Sequence, residues 1–290
     1  MTPLRTFLAL LLLLSPLAAQ GQEKKLVLIA GKQSHGPGDH EFRAGMLLLQ
    51  KCLADVKGLK VVVETNGWVA DPKVFDGAAA VALYSDGGGG NPFVQGDHKK
   101  VIGDLAKKGV GIGLMHYAVE VPKDNGGPEF LEWIGGHYEH QYSCNPMWAP
   151  DYKTFPKHPI TRGVKPFSCR DEWYMHMRFR PDMKGVTPLL VDKPSDKVRK
   201  GPYVYPAGPY EHIVAGSGQD EVMMWCVERP DGGRGFGWTG GHYHKNWGDP
   251  GYRKVVLNAL VWLCKMEVPA SGIESEVTEE DLKQNLDKKK

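Results

Sequence analysis

Cysteine is scarce in this chain and follows no pairing pattern. Five occur in 290 residues, at Cys52, Cys144, Cys169, Cys226 and Cys264, and none is in CxxC spacing. That excludes a zinc ribbon, a dithiol redox motif and a disulfide-built scaffold. Cys52, Cys226 and Cys264 lie in apolar runs and read as buried thiols. Cys144 and Cys169 lie in loop-like segments and are the candidates for a pair in an oxidising compartment. An excess of either charge is also missing: 36 Lys and Arg, interspersed, stand against 34 Asp and Glu. No nucleic-acid or other polyanionic partner is therefore expected. There is no GxSxG, no Walker loop and no HExxH, which weighs against serine hydrolases, NTPases and the common zinc proteases. Gly235–Gly240 matches GxGxxG but does not follow a βα turn of the right kind, so no nucleotide cofactor is expected.

Long apolar runs are confined to the start. Arg5, the run Phe7–Leu14 and the small-residue site Leu17-Ala18-Ala19 before Gln20 have the form of a secretory signal peptide over residues 1–19. The expectation is an exported protein, periplasmic or extracellular, with no membrane span. About 270 residues remain, enough for one large α/β domain.

What is present is an alternation of strand and helix. Lys25–Ala30, Lys60–Thr65, Ala78–Tyr84 and Gly109–Met115 read as strands. Between them lie helical stretches at about 39–56 and at Lys99–Lys108. In the first helix Phe42, Met46, Leu49, Leu53 and Val56 make one apolar face, with Asp39 placed to cap it. Such spacing means βαβ units and a parallel sheet. From Gly135 to about Pro209 periodicity fades, with short strands expected at Val186–Val191 and Tyr203–Tyr205. Regular segments return at His212–Ala215, Val222–Val227 and Gly235–Thr239, and a helix at Tyr252–Cys264. The domain is expected to span residues 24–266. A polar C-terminal tail, 267–290, follows it, with a short helix start at Thr278 and a frayed end.

Histidines gather where strands stop. The first strand runs into His35, Gly36-Pro37-Gly38, Asp39, His40 and Glu41; the fourth ends on His116 and Tyr117, with Glu120 following; Gly235–Thr239 ends on Gly240-Gly241, His242 and His244. In open α/β sheets ligands bind outside the carboxyl ends of the strands, so these imidazoles point to one polar pocket for a metal or for acid–base work. His116 occupies the elbow position where other α/β folds carry a nucleophile. Asp171-Glu172-Trp173-Tyr174 offers carboxylates. Gly135-Gly136-His137 with His140 is a weaker metal candidate in the irregular middle. Trp133, Tyr142, Trp148, Trp173 and Tyr174 can stack on sugar rings or build core.

Taken together these residues resemble the ThuA-like (trehalose-utilisation) family. The matching pieces are His35 after the first strand, Gly113-Leu114-Met115-His116 at the elbow, His158-Pro159-Ile160-Thr161-Arg162-Gly163, Asp171-Glu172-Trp173-Tyr174 and Gly240-Gly241-His242. The resemblance implies a three-layer, flavodoxin-like, mostly parallel sheet of the class I glutamine amidotransferase-like type, and a role in carbohydrate catabolism. It does not imply a glutaminase, because His116 stands where those enzymes need a cysteine.

The leading expectation is an enzyme acting on a glycoside or keto-sugar by hydrolysis, elimination or isomerisation. His35, His116 and His242 would hold a divalent metal, zinc first, with an open position for water or substrate. Glu172 would move the proton, with Glu120 as second candidate. Alternatively His116 itself would be the general base. His40, Glu41, Tyr117, Tyr174 and His244 would bind the small-molecule carbohydrate. The rival expectation is a non-catalytic carbohydrate-binding module on the same fold.

Overall fold

The computed structural model describes residues 23–290, so the signal-peptide expectation lies outside the described residues. A seven-stranded sheet organises the chain. Its strands are β1 (Lys24–Ala30), β2 (Leu59–Glu64), β3 (Ala78–Tyr84), β4 (Gly111–Met115), β5 (Val186–Asp192), β6 (Glu221–Glu228) and β7 (Arg234–Trp238), in the order β5-β6-β7-β4-β3-β1-β2. β2, β1, β3, β4 and β7 pair in parallel, whereas β6 runs antiparallel to both its neighbours. This is the mostly parallel α/β fold expected.

The alternation of side chains along β1 builds the layers. Leu26, Leu28 and Ala30 face a core shared with α1 (Phe42–Cys52) and α4 (Pro250–Leu263). Val27 and Ile29 face the opposite core, shared with α2 (His98–Lys107) and α3 (Gly127–Trp133). All five β1 residues are fully buried, each large one worth roughly 1.5–3 kcal/mol. Both faces of the sheet are covered, which is why its strands read as near-continuous apolar runs. Glycine allows β4 to lie close to β7: a Cβ on Gly113 would sit 2.5 Å from the Phe236 ring.

Several local expectations are corrected. α1 begins at Phe42, and the Asp39 side chain does not cap it. α4 begins two residues early because Asp249 accepts from Tyr252 N–H and Pro250 fits the first helical turn. Tyr203–Tyr205 is loop, whereas the regular segment expected at His212–Ala215 is a short helix, Glu211–Val214. The strand expected at Val186–Val191 is β5, and between Gly135 and Gly185 the middle holds only two-residue strands, among them Asp171–Glu172 paired with Met147–Trp148. Trp133, Trp148, Trp173 and Tyr174 are buried core, and Arg178 lies over the Tyr142 ring at 3.2 Å. All five cysteines are free thiols.

The C-terminal tail is not frayed. Asp287 N–H donates to Glu41 at 2.8 Å, Arg43 pairs with Asp287 at 3.3 Å, and the Lys289 ammonium lies 3.3 Å from Glu41, with both side chains 1 % exposed. The tail thus packs over the entry to α1. No helix among the described residues is long and apolar enough to cross a membrane.

Candidate metal centre

Four side chains from four separate segments meet beyond the carboxyl ends of the strands. His40 comes from the loop after β1, His116 from the end of β4 and His242 from the loop after β7. Glu172 comes from the irregular middle. One ligand atom from each lies within 4.8 Å of the others. All are buried, at 1 %, 0 %, 6 % and 3 % exposure respectively.

The backbone explains how they get there. His116 leaves the buried strand β4 with φ +55° and starts a short 3-10 turn; His40 holds φ +48° and His35 φ +56°. Such left-handed backbone is uncommon for non-glycine residues and concentrates where surrounding structure over-determines it. The loop after β1 is zipped to the loop after β7, with His40 N–H donating to His242 C=O and His244 N–H to Gly38 C=O, both at 2.9 Å. Gly241, at φ +120°, keeps that second loop close to the elbow: a Cβ there would sit 3.0 Å from the His116 Cβ.

A buried carboxylate fixes the same loop. Asp171, fully buried, accepts from the N–H groups of Gly241 (3.0 Å), His242 (3.1 Å) and Glu172 (2.8 Å). It also accepts from the Asn246 amide (3.1 Å) and the Tyr252 hydroxyl. With that many donors the charge is compensated inside the protein. Asp171 therefore positions His242 and Glu172, its neighbours in structure and in sequence.

The hydrogen bonds assign the imidazole tautomers. His116 Nδ1 lies 3.0 Å from the Thr239 carbonyl, which can only accept, so Nδ1–H donates. His40 Nδ1 likewise donates to Asp86 at 3.1 Å. Burial, reinforced by neighbouring imidazoles, holds both rings well below the ordinary histidine range and therefore neutral. Their Nε2 lone pairs are then left facing each other at 3.0 Å. His242 Nδ1 lies 3.0 Å from His40 Nε2 and 2.8 Å from Glu172, whose same oxygen is 3.6 Å from His116 Nε2. Burial pushes Glu172 upward against the hydrogen bond from His242. Burial pulls on His242 in the opposite sense, but the Glu172 hydrogen bond and charge outweigh it, so His242 is raised. Two opposed lone pairs beside a third ring nitrogen and a carboxylate oxygen form a donor set that could hold a cation. Each Nδ1–H anchored on a carbonyl or carboxylate is the outer support that metal-bound histidines use.

The sequence profile of the ThuA family, described as trehalose utilisation, matches residues 26–263. The chain belongs to the ThuA family. No curated protein matches it. Among solved structures, a thua-like protein from Bacteroides uniformis ATCC 8492 superposes with a TM-score of 0.59 at 16 % identity, covering 84 % of this chain and 93 % of that one. A second, from Parabacteroides merdae ATCC 43184, gives 0.55 at 14 % identity, covering 90 % and 99 %. The mmIFT52 N-terminal domain reaches 0.51 at 10 % identity, covering 85 % and 100 %. Similarities this remote show the fold alone.

Within this ThuA chain the anticipated site residues divide. His116, His242 and Glu172 come together, and His40 takes the place expected of His35. His35 is half exposed and stacks on the His40 ring at 3.6 Å, 3.7 Å from Asp86, so it flanks the four-residue set. Tyr174 backs the cluster, its hydroxyl 3.5 Å from His116 Nε2, and Tyr117 is half-buried beside His40. Glu120 and Tyr117 converge on Gly88: a Cβ there would lie 3.6 Å from the Glu120 carboxylate and 3.8 Å from the Tyr117 hydroxyl. Burial, with the Glu172 charge adding, pushes Glu120 up to about 8.

Glu41 and His244 are turned to other tasks. The Glu41 carboxylate is taken up by Gly38 N–H, Asp287 N–H and Lys289. His244 is buried near Glu41 and Leu282, where burial lowers it to about 4. His137 is buried elsewhere, with Nδ1 on the Tyr138 carbonyl, and His140 is exposed near Tyr205. Asp86, 3.1 Å from His40 Nδ1, was not among the anticipated residues. It follows β3 as His116 follows β4, so the rule that found the histidines would also have found it.

Proposed function

We propose that this ThuA protein is an exported enzyme that acts on a glycoside or keto-sugar, with a divalent cation, zinc first, held by His40, His116, His242 and Glu172. One observation carries the reading: two neutral imidazoles, each fixed by its Nδ1–H, present their Nε2 lone pairs to each other at 3.0 Å in a buried site. Without a cation or a proton between them that arrangement is repulsive. Three imidazole nitrogens and a carboxylate oxygen suit zinc, and also manganese or iron. When bound, such an ion polarises a carbonyl or acidifies water.

The chain's own residues do the rest. Glu172, expected from sequence to carry a proton, belongs to the ligand set, so the proton role passes to Glu120. Raised to about 8, Glu120 holds its proton at neutral pH and can donate it as a general acid. The Tyr117 hydroxyl beside it would orient a substrate oxygen. The binding-module reading loses support, since most of the aromatic residues it needed as platforms are buried core. Arg5, Phe7–Leu14 and Leu17-Ala18-Ala19 support export.

The test is elemental mass spectrometry on untagged protein beside His116→Ala. Near-stoichiometric zinc, manganese or iron, lost in the variant, is the expected result. A wild type that stays empty after soaking with each metal sinks the metal centre and leaves Glu120 and Glu172 as a bare acid–base pair.

A further inference from the structure

A second opening lies at the point where the sheet reverses direction of growth. The chain lays β2 on one side of β1 and then crosses to place β3 on the other. In doubly wound folds the crevice at this switch point, between β1 and β3 at their carboxyl ends, is where ligands bind. Here it contains a cavity of about 680 Å³, entered past Gly31 at the end of β1, Thr65 at the end of β2 and Ser85 at the end of β3. That volume is in the range of small-molecule sites.

Its walls have a specific chemistry. The indole of Trp68 lines it, covered on one face by the His98 ring, parallel at 3.7 Å and 7°, with Phe75 and Phe93 against its edges. The other seven of the eight tryptophans are buried, so Trp68 alone has a ring available to a ligand. Around it stand Asn66, Gln95, Lys32 and Asp86. They supply donors and acceptors with opposite charges in near balance. A sugar ring matches that wall: C–H groups for the indole face and hydroxyls that both donate and accept. A phosphate-bearing ligand matches it less well, because the Asp86 carboxylate would repel it.

Asp86 is shared. One oxygen accepts from His40 Nδ1 at 3.1 Å and from Ser34 at 2.9 Å, and the same side chain forms part of the cavity wall. The cavity therefore adjoins the histidine cluster through a single residue. We propose that it is the subsite for the sugar ring next to the one being converted, so that the protein takes a disaccharide or larger glycoside in preference to a monosaccharide. This rests on the carbohydrate reading above and assigns it a substrate size.

Because only Trp68 is accessible, acrylamide quenching of intrinsic fluorescence reports on this cavity in the intact protein. Trehalose, maltose and sucrose are the probes, with glucose and flavin mononucleotide as controls, in wild type and Glu172→Gln. At least one disaccharide should shield Trp68 in both proteins, glucose should do so only at much higher concentration, and Trp68→Phe should abolish the response. Asn66→Ala should raise the half-protecting concentration about 3- to 10-fold, the loss of one hydrogen bond. Circular dichroism checks that all three variants fold. Shielding without turnover on any substrate leaves the subsite standing while the enzyme reading falls. Turnover of a disaccharide with Trp68 unshielded overturns the subsite and spares the enzyme. Equal shielding by glucose, shielding by the flavin nucleotide alone, or none by any disaccharide also overturns it.

Discussion

The first hundred described residues and the irregular stretch from Gly135 to Gly185 contribute to one site in opposite ways. The first part is periodic: four strands, two helices and a histidine or aspartate just past three of the strand ends. The second has almost no periodicity, yet it delivers Glu172, the Asp171 carboxylate beneath it and Asn145, whose amide donates to Glu172 at 2.8 Å. A sheet sets where its strand ends lie, so residues there are placed by fold class alone. A segment with two-residue strands is placed by side-chain hydrogen bonds, and Asp171 shows how many that takes. Regular structure supplies the imidazoles; irregular structure, fixed by one buried acid, supplies the carboxylate.

The sharpest way to break this contrast is at Asp171. Asp171→Ala strands at least five buried donors, and we expect a loss of roughly 3–5 kcal/mol in urea unfolding, with any bound metal lost as well. A loss below about 1 kcal/mol would mean that the loop after β7 is held by something else.

The next effect separates the two histidines on the loop after β1. His40→Ala should weaken metal binding by more than about 100-fold, since even outer supports of a metal ligand are worth about 10–100-fold. His35→Ala should change it by no more than that outer-support range. Competition with a chromogenic chelator measures both, and a larger effect at His35 would restore the ligand set first expected.

A smaller effect tests the tail. Lys289→Met leaves Glu41 two backbone donors, so the cost should be about 1–3 kcal/mol, accompanied by faster proteolysis after Arg43 or Lys51. Unchanged stability and cleavage would show that the tail merely lies on the surface.

The smallest effect is on pH dependence in metal-stripped protein. Glu120 is raised by burial from an ordinary 4.5 to about 8. Between those values the unfolded chain has released a proton that the folded protein keeps, so its stabilising effect is complete below about pH 4.5 and is lost as pH rises toward 8. Glu120→Gln should flatten the fall in melting temperature across that window. An unchanged slope would place the titration on another group.

Legibility followed the same division. The strands of the periodic part were readable because burial on both faces writes them as apolar runs, and Ala78–Tyr84 coincides with β3 residue for residue. His116 and His242 were readable from their places after strands. His40 was harder to rank than His35, because four residues of turn separate them and only the bonds to His242 and Gly38 decide which ring turns inward. Glu41 looked like a site residue because its partner, Lys289, lies 248 positions away in a tail that composition alone marks as loose. No local pattern encodes a contact of that range.

That clasp has a practical consequence for anyone producing the protein. A polyhistidine tag joined after Lys290 would start one residue from the ammonium that touches Glu41 and the Asp39 carbonyl, close to the histidine loop itself. Its imidazoles would compete for the very ion being counted, and its bulk would pull on the clasp. Purification handles therefore belong at the other end, after the proposed export segment at the start of the mature chain, with a protease site to remove them.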